Sequence, residues 1–271
     1  MGVLNITPDS FSDGGLWVSA ENAIRHAEYM VEQEADIVDI GGESTRPGSK
    51  PISAAEEIHR IMPVIEALVG RNICVSVDTS KPEVMRASIE AGVSMINDIR
   101  ALQAPGALEA VAEGGAAACL MHMQGEPGSM QANPRYGDVV TEVKDFLWRR
   151  VEAAQAAGIP RGRLVVDPGF GFGKTLEHNI ELLRHLDSFL DLGVPLMVGL
   201  SRKSMLGKIT GNEVGDRVHA SIAAALLALM KGAKIFRVHD VKAFRDAIAV
   251  YNAISDSQCD KIAAVNRLSS D

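Results

Sequence analysis

Eight short apolar runs recur along the 271 residues, ending near Asn5, Ile40, Asp78, Asn97, His122, Asp167, Leu200 and His239. Most close on a polar side chain; Asp39 and Ser201 play that part in the second and seventh runs. A longer stretch with helical spacing follows most of them. Runs too short for helices, each leading through a polar exit into a helix, build a parallel sheet with helical crossovers. Eight such units predict an α/β chain closed into a (β/α)8 TIM barrel, one domain over 1–254 with a peripheral tail over 255–271. That fold carries its chemistry at the C-terminal mouths of the strands, so function is to be read from the eight exits.

Helices are expected over 20–33, with Ile24, Ala27, Met30 and Val31 at buried-stripe spacing, and over 54–69, with Ile58, Ile61, Ile65 and Leu68 on one face. After the third run, Ser80 reads as an N-cap, with Pro82 in the first turn and Glu83 three residues on. A short helix is expected over 106–112 and a long one over 139–157, after a Gly-, Pro- and Asn-rich excursion at 124–138. The stretch 216–230 is nearly free of polar residues after His219. One apolar stripe is enough to lie on a barrel wall, so the excess predicts a covered outer face in a homodimer.

Acidic residues outnumber basic ones, 35 to 27, which argues against a nucleic-acid partner but allows a local site for a small anion. No run of 18 apolar residues predicts a membrane span, and no basic-then-apolar leader opens the chain. Cys74, Cys119 and Cys259 lack metal or disulfide spacing and read as reduced thiols of a cytoplasmic protein. The chain begins almost inside its first strand, leaving little to cover the lower end of a barrel. This fits either a longer protein or missing first residues.

Two features invite other readings. Gly169-Phe170-Gly171-Phe172-Gly173-Lys174-Thr175 looks like a phosphate loop, but the Walker spacing needs a first glycine where Pro168 stands. The dinucleotide fingerprint fails too, because its third glycine would fall on Lys174. What remains is a glycine loop at a strand exit, with Phe172 placed to cover a flat ligand. His122 and His239 leave strands three apart with no supporting cysteine, a poor zinc set.

Asp78, Asn97 and Asp167 sit at strand ends and Lys203 just beyond the seventh. Singly, such residues cap helices or stay solvated. Together at one mouth, two carboxylates, an amide and an ammonium suit a flat heterocycle with N–H donors and ring acceptors. Arg237 and His239 share a strand face at i,i+2, with Arg46 and the helix start at Ser204 as further anion-facing groups. Asn5, Asp9 and Asp13 are placed for a hard cation, so a phosphorylated substrate with Mg²⁺ is expected. The alternative for Arg237 is an ion pair with a barrel carboxylate.

The segments 5–15 (NITPDSFSDGG), 41–48 (GGESTRPG), 167–174 (DPGFGFGK), 201–204 (SRKS) and 237–239 (RVH) resemble, in order and spacing, the bacterial dihydropteroate synthase family. These are pterin-binding barrel enzymes of folate biosynthesis and the target of sulfonamides. The resemblance covers about 1–254. It lacks the family's N-terminal barrel-covering segment and does not extend to the C-terminal tail. It implies that Asp78, Asn97, Asp167 and Lys203 hold the pterin, with Ile99, Met121 and Phe172 along its faces. Asn5, Arg237 and His239 would hold diphosphate, with Thr45 near and Mg²⁺ on Asn5. Phe11, Arg46, Pro47, Phe172, Lys203 and Ser204 would form the p-aminobenzoate pocket. Catalytic roles would fall on Asp78, Lys203, Arg237, His239 and Asp13. The implied reaction joins 6-hydroxymethyl-7,8-dihydropterin diphosphate to p-aminobenzoate, and a homodimer through the last helices is implied as well. A pterin-dependent methyltransferase with a corrinoid partner, or an idle pterin-binding protein, would share the pterin residues. The methyltransferase would lack the diphosphate cluster and the Ser-Thr-Arg-Pro loop.

Overall fold

Side chains branched at Cβ pack well on a pleated sheet, and parallel strands covered on both faces read as continuous apolar runs. The computed structural model describes residues 1–6, 15–44 and 51–255, with the backbone alone over 15–19. Its strands are β1 (Gly2–Asn5), β2 (Val38–Gly41), β3 (Val75–Asp78), β4 (Met95–Asp98), β5 (Ala117–Met121), β6 (Leu164–Asp167), β7 (Met197–Val198) and β8 (Ile235–Phe236). β1 to β6 pair in chain order, and β7 pairs with β8, all in parallel. Single parallel bridges complete the ring, Val166 to Leu196 on one side and Gly2 to Val238 on the other. Backbone hydrogen bonds carry both joints, from Val166 N to Pro195 O at 3.0 Å and from Val3 N to Val238 O at 3.1 Å. The result is the closed eight-stranded barrel that the alternation predicts.

The helices are α1 (Gly15–Glu32), α2 (Ala54–Val69), α3 (Pro82–Glu90), α4 (Ala107–Gly114), α5 (Val139–Ala156), α6 (Leu176–Arg184), α7 (Ser204–Thr210), α8 (Val218–Met230) and α9 (Val241–Ser255). Ser53 caps α2 by accepting from Glu56 N at 3.2 Å, and Asp138 caps α5 by accepting from Val140 N at 3.0 Å. α6 opens with a reciprocal cap between Thr175 and His178. The expected cap at Ser80 is not formed: α3 begins after Lys81, and Ser80 Oγ donates to Asp98 Oδ1 instead. The buried Asp98 carboxylate also accepts from Arg100 N and Leu102 N, both at 2.8 Å, and draws Ser80 into that network. The seventh and eighth runs leave the ladder early, at Val198 and Phe236, yet Arg237 N still donates to Val198 O at 3.0 Å.

Two apolar layers result from the strand alternation. Outward residues such as Ile40, Val77, Ile96, Leu120 and Val166 pack against helix residues such as Ile61, Ile65 and Leu147. Inward residues Met1, Met95, Cys119, Val165 and Met197 fill the lower barrel, which is a packed core and not a pore. Ser76 is the polar exception beside Met95, and the charged inward positions collect toward the mouth. Among the described residues no helix is long and apolar enough to cross a membrane. From 256 onward the expected tail lies outside the described residues.

The covered-outer-face expectation for α8 can now be divided by side. Ser221, Ala224, Ala225 and Ala228 face the barrel, while Leu227 and Met230 are exposed at 52% and 67%. Ala224→Glu would bury a charge against the barrel and should cost about 3 kcal/mol or more. Leu227→Glu should leave barrel stability within about 0.5 kcal/mol, because its side chain meets solvent in the single chain. Urea unfolding of both variants at protein concentrations low enough for single chains checks the assignment.

Candidate active site

Alternation and register put Asn5, Gly41, Asp78 and Asn97 in one row across β1 to β4, since each is the register partner of the next. Asp39 lies two residues below Gly41 on the same inward face and has no solvent exposure. Its Oδ2 accepts from Arg237 Nε at 2.6 Å and from Asn97 Nδ2 at 3.2 Å. Arg237 Nη2 reaches across to Asp78 Oδ2 at 2.9 Å. One guanidinium from the end of the chain's barrel thus binds carboxylates from β2 and β3. Asp39 Oδ1 and Asn97 Oδ1 are buried without a partner from the protein. Unpaired buried acceptors cost about 1–3 kcal/mol each, so they mark positions where a bound donor adds most.

The electrostatics follow from burial. Burial raises the Asp78 pKa to about 7; Arg237 opposes the shift, while Asp39, Asp98 and Glu57 add to it. Asp167 is also raised by burial, against Gly169 N, which donates to its Oδ1 at 2.7 Å, and against nearby Lys203, Lys174 and Arg237. Lys203 is lowered to about 8, first by burial and then by Arg237, with Asp167 and Asp78 opposing. Its ammonium stands 4.1 Å from the Phe172 ring centroid, a cation–π contact. Partial burial of the His239 ring, with repulsion from Arg237 and Arg202, lowers its pKa to about 4. The neutral imidazole Nδ1 lies 3.0 Å from Ser201 Oγ, which also accepts from His239 N at 3.1 Å.

Most residues singled out from the sequence therefore meet at one mouth. Asp39 joins Asn97 to Arg237 and Arg237 joins Asp78, Lys203 covers Phe172, and Asp167 lies close enough to Lys203 and Arg237 to feel their charge. Ile99 and Met121 are buried. Asn5 is half-buried, with Oδ1 beside the Gly41 backbone; His239 is exposed at the rim, and Ser204 is the exposed first residue of α7. Arg237 takes the ion-pair alternative, and it does so inside the site. Phe11, Asp13, Thr45, Arg46 and Pro47 lie outside the described residues. A cavity of about 660 Å³ opens beside Asp78 and Ile99, with Lys81, Arg100 and Glu126 on its outer wall.

Two residues at this mouth had no role from the sequence. Asp39 had a signal, a charge in an inward position between Val38 and Ile40 of a buried strand. Lys174 was submerged in the failed phosphate-loop pattern. It is buried, and its Nζ donates to the carbonyls of Gly169 and Phe172 at 2.9 and 3.1 Å and lies 2.9 Å from His122 Nδ1. His122 is thus a partner of that lysine.

Residues 1–239 match the family model described as pterin binding enzyme. The dihydropteroate synthase of Escherichia coli is 50% identical over 254 residues, 93% of this chain and 90% of that protein. The chain belongs to the dihydropteroate synthase family. The Xanthomonas albilineans dihydropteroate synthase solved with 4-aminobenzoic acid superposes with a TM-score of 0.89 at 51% identity, covering 94% of this chain and 92% of that one. The same organism's enzyme in complex with 7,8-dihydropteroate gives 0.86 at 48% identity, covering 94% and 93%. For a dihydropteroate synthase fold, the Asp39–Arg237–Asp78 bridge makes a sharp expectation. Arg237→Ala would strand a fully buried carboxylate, and breaking such a pair from one side costs about 3–5 kcal/mol. Guanidinium unfolding should show that loss, and Arg237→Lys should recover part of it by restoring the charge with fewer donors.

Proposed function

We propose that the protein condenses 6-hydroxymethyl-7,8-dihydropterin diphosphate with p-aminobenzoate, releasing diphosphate and forming 7,8-dihydropteroate. The observation that carries this reading is the set of strand-end acceptors at the mouth, Asp78, Asn97 and Asp167, with unpaired Asn97 and Asp39 oxygens and the Lys203 ammonium beside them. That set matches the N–H and carbonyl edge of a pterin. The relatives' names and bound molecules point to the same substrates.

The exocyclic C–O bond breaks and diphosphate leaves with the electron pair. The arylamine nitrogen then forms the C–N bond and loses a proton. An arylamine is a weak nucleophile, so departure leads, and the positive charge spreads into the electron-rich dihydropterin. Asp78 and Asp167, when ionised, stabilise that charge in a water-poor site where a fixed carboxylate acts strongly. Arg237 turns its guanidinium charge toward the leaving diphosphate. His239, neutral at its lowered pKa, offers one N–H donor and is raised again by an adjacent anion. Lys203 holds the pterin carbonyl or ring nitrogen and keeps Phe172 against the ring plane.

The described residues contain no group of three carboxylate, His or Cys side chains able to hold a metal ion by themselves. Mg²⁺ does not need one, because it binds through one or two protein oxygens with substrate phosphates and water completing its shell. The half-buried Asn5 amide oxygen at the end of β1 is such a hard donor, and Asp13 is the second candidate. Mg²⁺ bound there would neutralise charge on the departing diphosphate.

Incubating the protein with both substrates and Mg²⁺ should yield 7,8-dihydropteroate by chromatography, and chelation should stop it. No product with folded protein would sink the reading. The pKa values set the pH profile. Asp78 must lose its proton, near pH 7, and Lys203 must keep its own, up to about pH 8. In the free enzyme kcat/KM should therefore rise through about 7, fall through about 8, and form a narrow bell whose limbs belong to the coupled cluster. A profile flat from pH 6 to about 9 would remove these two residues as the controlling groups.

The subunit contact belongs on the outer faces of the last helices, where Leu227, Met230, Val250 and Ile254 are exposed at 52%, 67%, 60% and 73%. A two-fold interface would cover both copies of this patch at once. Sedimentation at micromolar concentration should give a dimer, and Leu227→Glu should give a folded monomer. A monomeric parent chain would refute the contact and leave the active site untouched.

A further inference from the structure

We propose that Lys174 is a positioning residue that fixes the glycine loop after β6 in its ligand-binding shape, and so sets pterin affinity without touching the pterin. The inference rests on the pterin-binding reading above. It joins the two sequence features that the function did not absorb, the glycine-rich loop and His122.

Lys174 is 3% exposed, and no carboxylate lies within ion-pair range of it among the described residues. Backbone carbonyls surround its ammonium instead: Gly169 O at 2.9 Å, Phe172 O at 3.1 Å and His122 O at 3.3 Å. The fourth neighbour is His122 Nδ1 at 2.9 Å. Burial and the Lys174 charge lower the His122 pKa to about 3, so its ring is neutral and Nδ1 is free to accept, with the proton assigned to Nε2. Four acceptors from the β5 exit and the β6 loop therefore converge on one donor. Carbonyl dipoles aimed at one point repel each other, and the ammonium is what allows them to converge.

The loop has given up other options to take this shape. Gly169 and Gly173 have φ of +71° and +61°, in the left-handed region. A Cβ on Gly169 would come within 1.9 Å of His122 O, and one on Gly173 within 2.3 Å of Gln124 O. The loop is thus pressed onto the segment that follows β5, and Lys174 is the bolt between them. Its consequences lie at the site. Gly169 N is held where it donates to Asp167 Oδ1 at 2.7 Å, and the Phe172 backbone is held where its ring lies under Lys203. Lys174 does not line the cavity beside Asp78 and its ammonium is turned to those carbonyls, so its effect on a pterin runs through the loop.

The test is titration calorimetry with 6-hydroxymethyl-7,8-dihydropterin on the full-length protein, beside Lys174→Met, Lys174→Gln, Phe172→Leu and the Lys174→Met/Phe172→Leu double variant. Lys174→Met keeps the chain length and removes the donors; it should weaken pterin affinity ten-fold or more per folded molecule, about the worth of a charged hydrogen bond. Lys174→Gln keeps two N–H donors, should recover part of the loss, and serves if the methionine variant does not fold. In the Phe172→Leu background the same Lys174→Met change should cost at most about a third as much affinity in fold terms, because both act on one loop. A merely structural lysine would lower the unfolding midpoint, leave affinity per folded molecule within two-fold of the parent and give no coupling to Phe172; that result overturns the proposal. Failure of the parent protein itself to bind the pterin would instead count against the functional reading on which the proposal rests.

Discussion

At the centre of the mouth a carboxylate without solvent exposure, Asp39, is held 2.6 Å from the guanidinium of Arg237. Desolvating such a pair consumes much of what its attraction supplies, so its contribution is better seen in geometry than in stability. The single Asp39 oxygen that binds Arg237 also orients the Asn97 amide, and the far edge of the same guanidinium reaches Asp78. Strands two, three, four and eight are tied at their exits by one charge network. The apolar lower barrel beneath it supplies the rigid floor against which those side chains keep their directions.

That network also sets protonation. Burial alone would push Asp78 and Asp167 toward their neutral forms and Lys203 toward its own, which would leave no charge to act on a ligand. Arg237 pulls the two carboxylates back partway, and Asp167 and Asp78 do the same for Lys203 against both burial and Arg237, so that Asp78 and Lys203 reach about 7 and 8. Groups poised in this range respond to a neighbour's charge, and a cationic pterin or an anionic diphosphate is such a neighbour. His239 extends the pattern at the rim, where burial and then the cations Arg237 and Arg202 hold its pKa down. The site is thus a set of coupled titrating groups, and the ligand is one more member.

The local devices beneath the site were unequally legible. The caps at Ser53 and Asp138 belong to helices expected over 54–69 and 139–157, because hydrophobic spacing marks a helix within a residue or two of its ends. Ser80 carried the same cap signature and does something else, since Asp98, the outward neighbour of Asn97 on β4, claims its hydroxyl. A cap motif is a local bond, and a buried carboxylate from 18 positions away competes for the same donor. Lys174 failed for a related reason. Its neighbours in sequence suggested a phosphate, whereas its neighbours in space are carbonyls of its own loop and of the β5 exit.

The sequence by itself determined the barrel, the positions of its exits and the identity of Asp78, Asn97, Asp167, Lys203 and Arg237 as residues that share a mouth. Strand alternation has a period of two and helix spacing a period of 3.6, and both are local properties that any reader of the chain can follow. Closure, by contrast, rests on the bridges of Gly2 to Val238 and Val166 to Leu196, which no local period specifies. Only the tertiary structure decided that Arg237 spans Asp39 and Asp78, that Lys174 bolts the glycine loop to His122, and that Ala224 turns inward while Leu227 turns out. Each of these depends on which charge or surface arrives from a distant part of the chain, and electrostatic partners buried in common are chosen by distance in space.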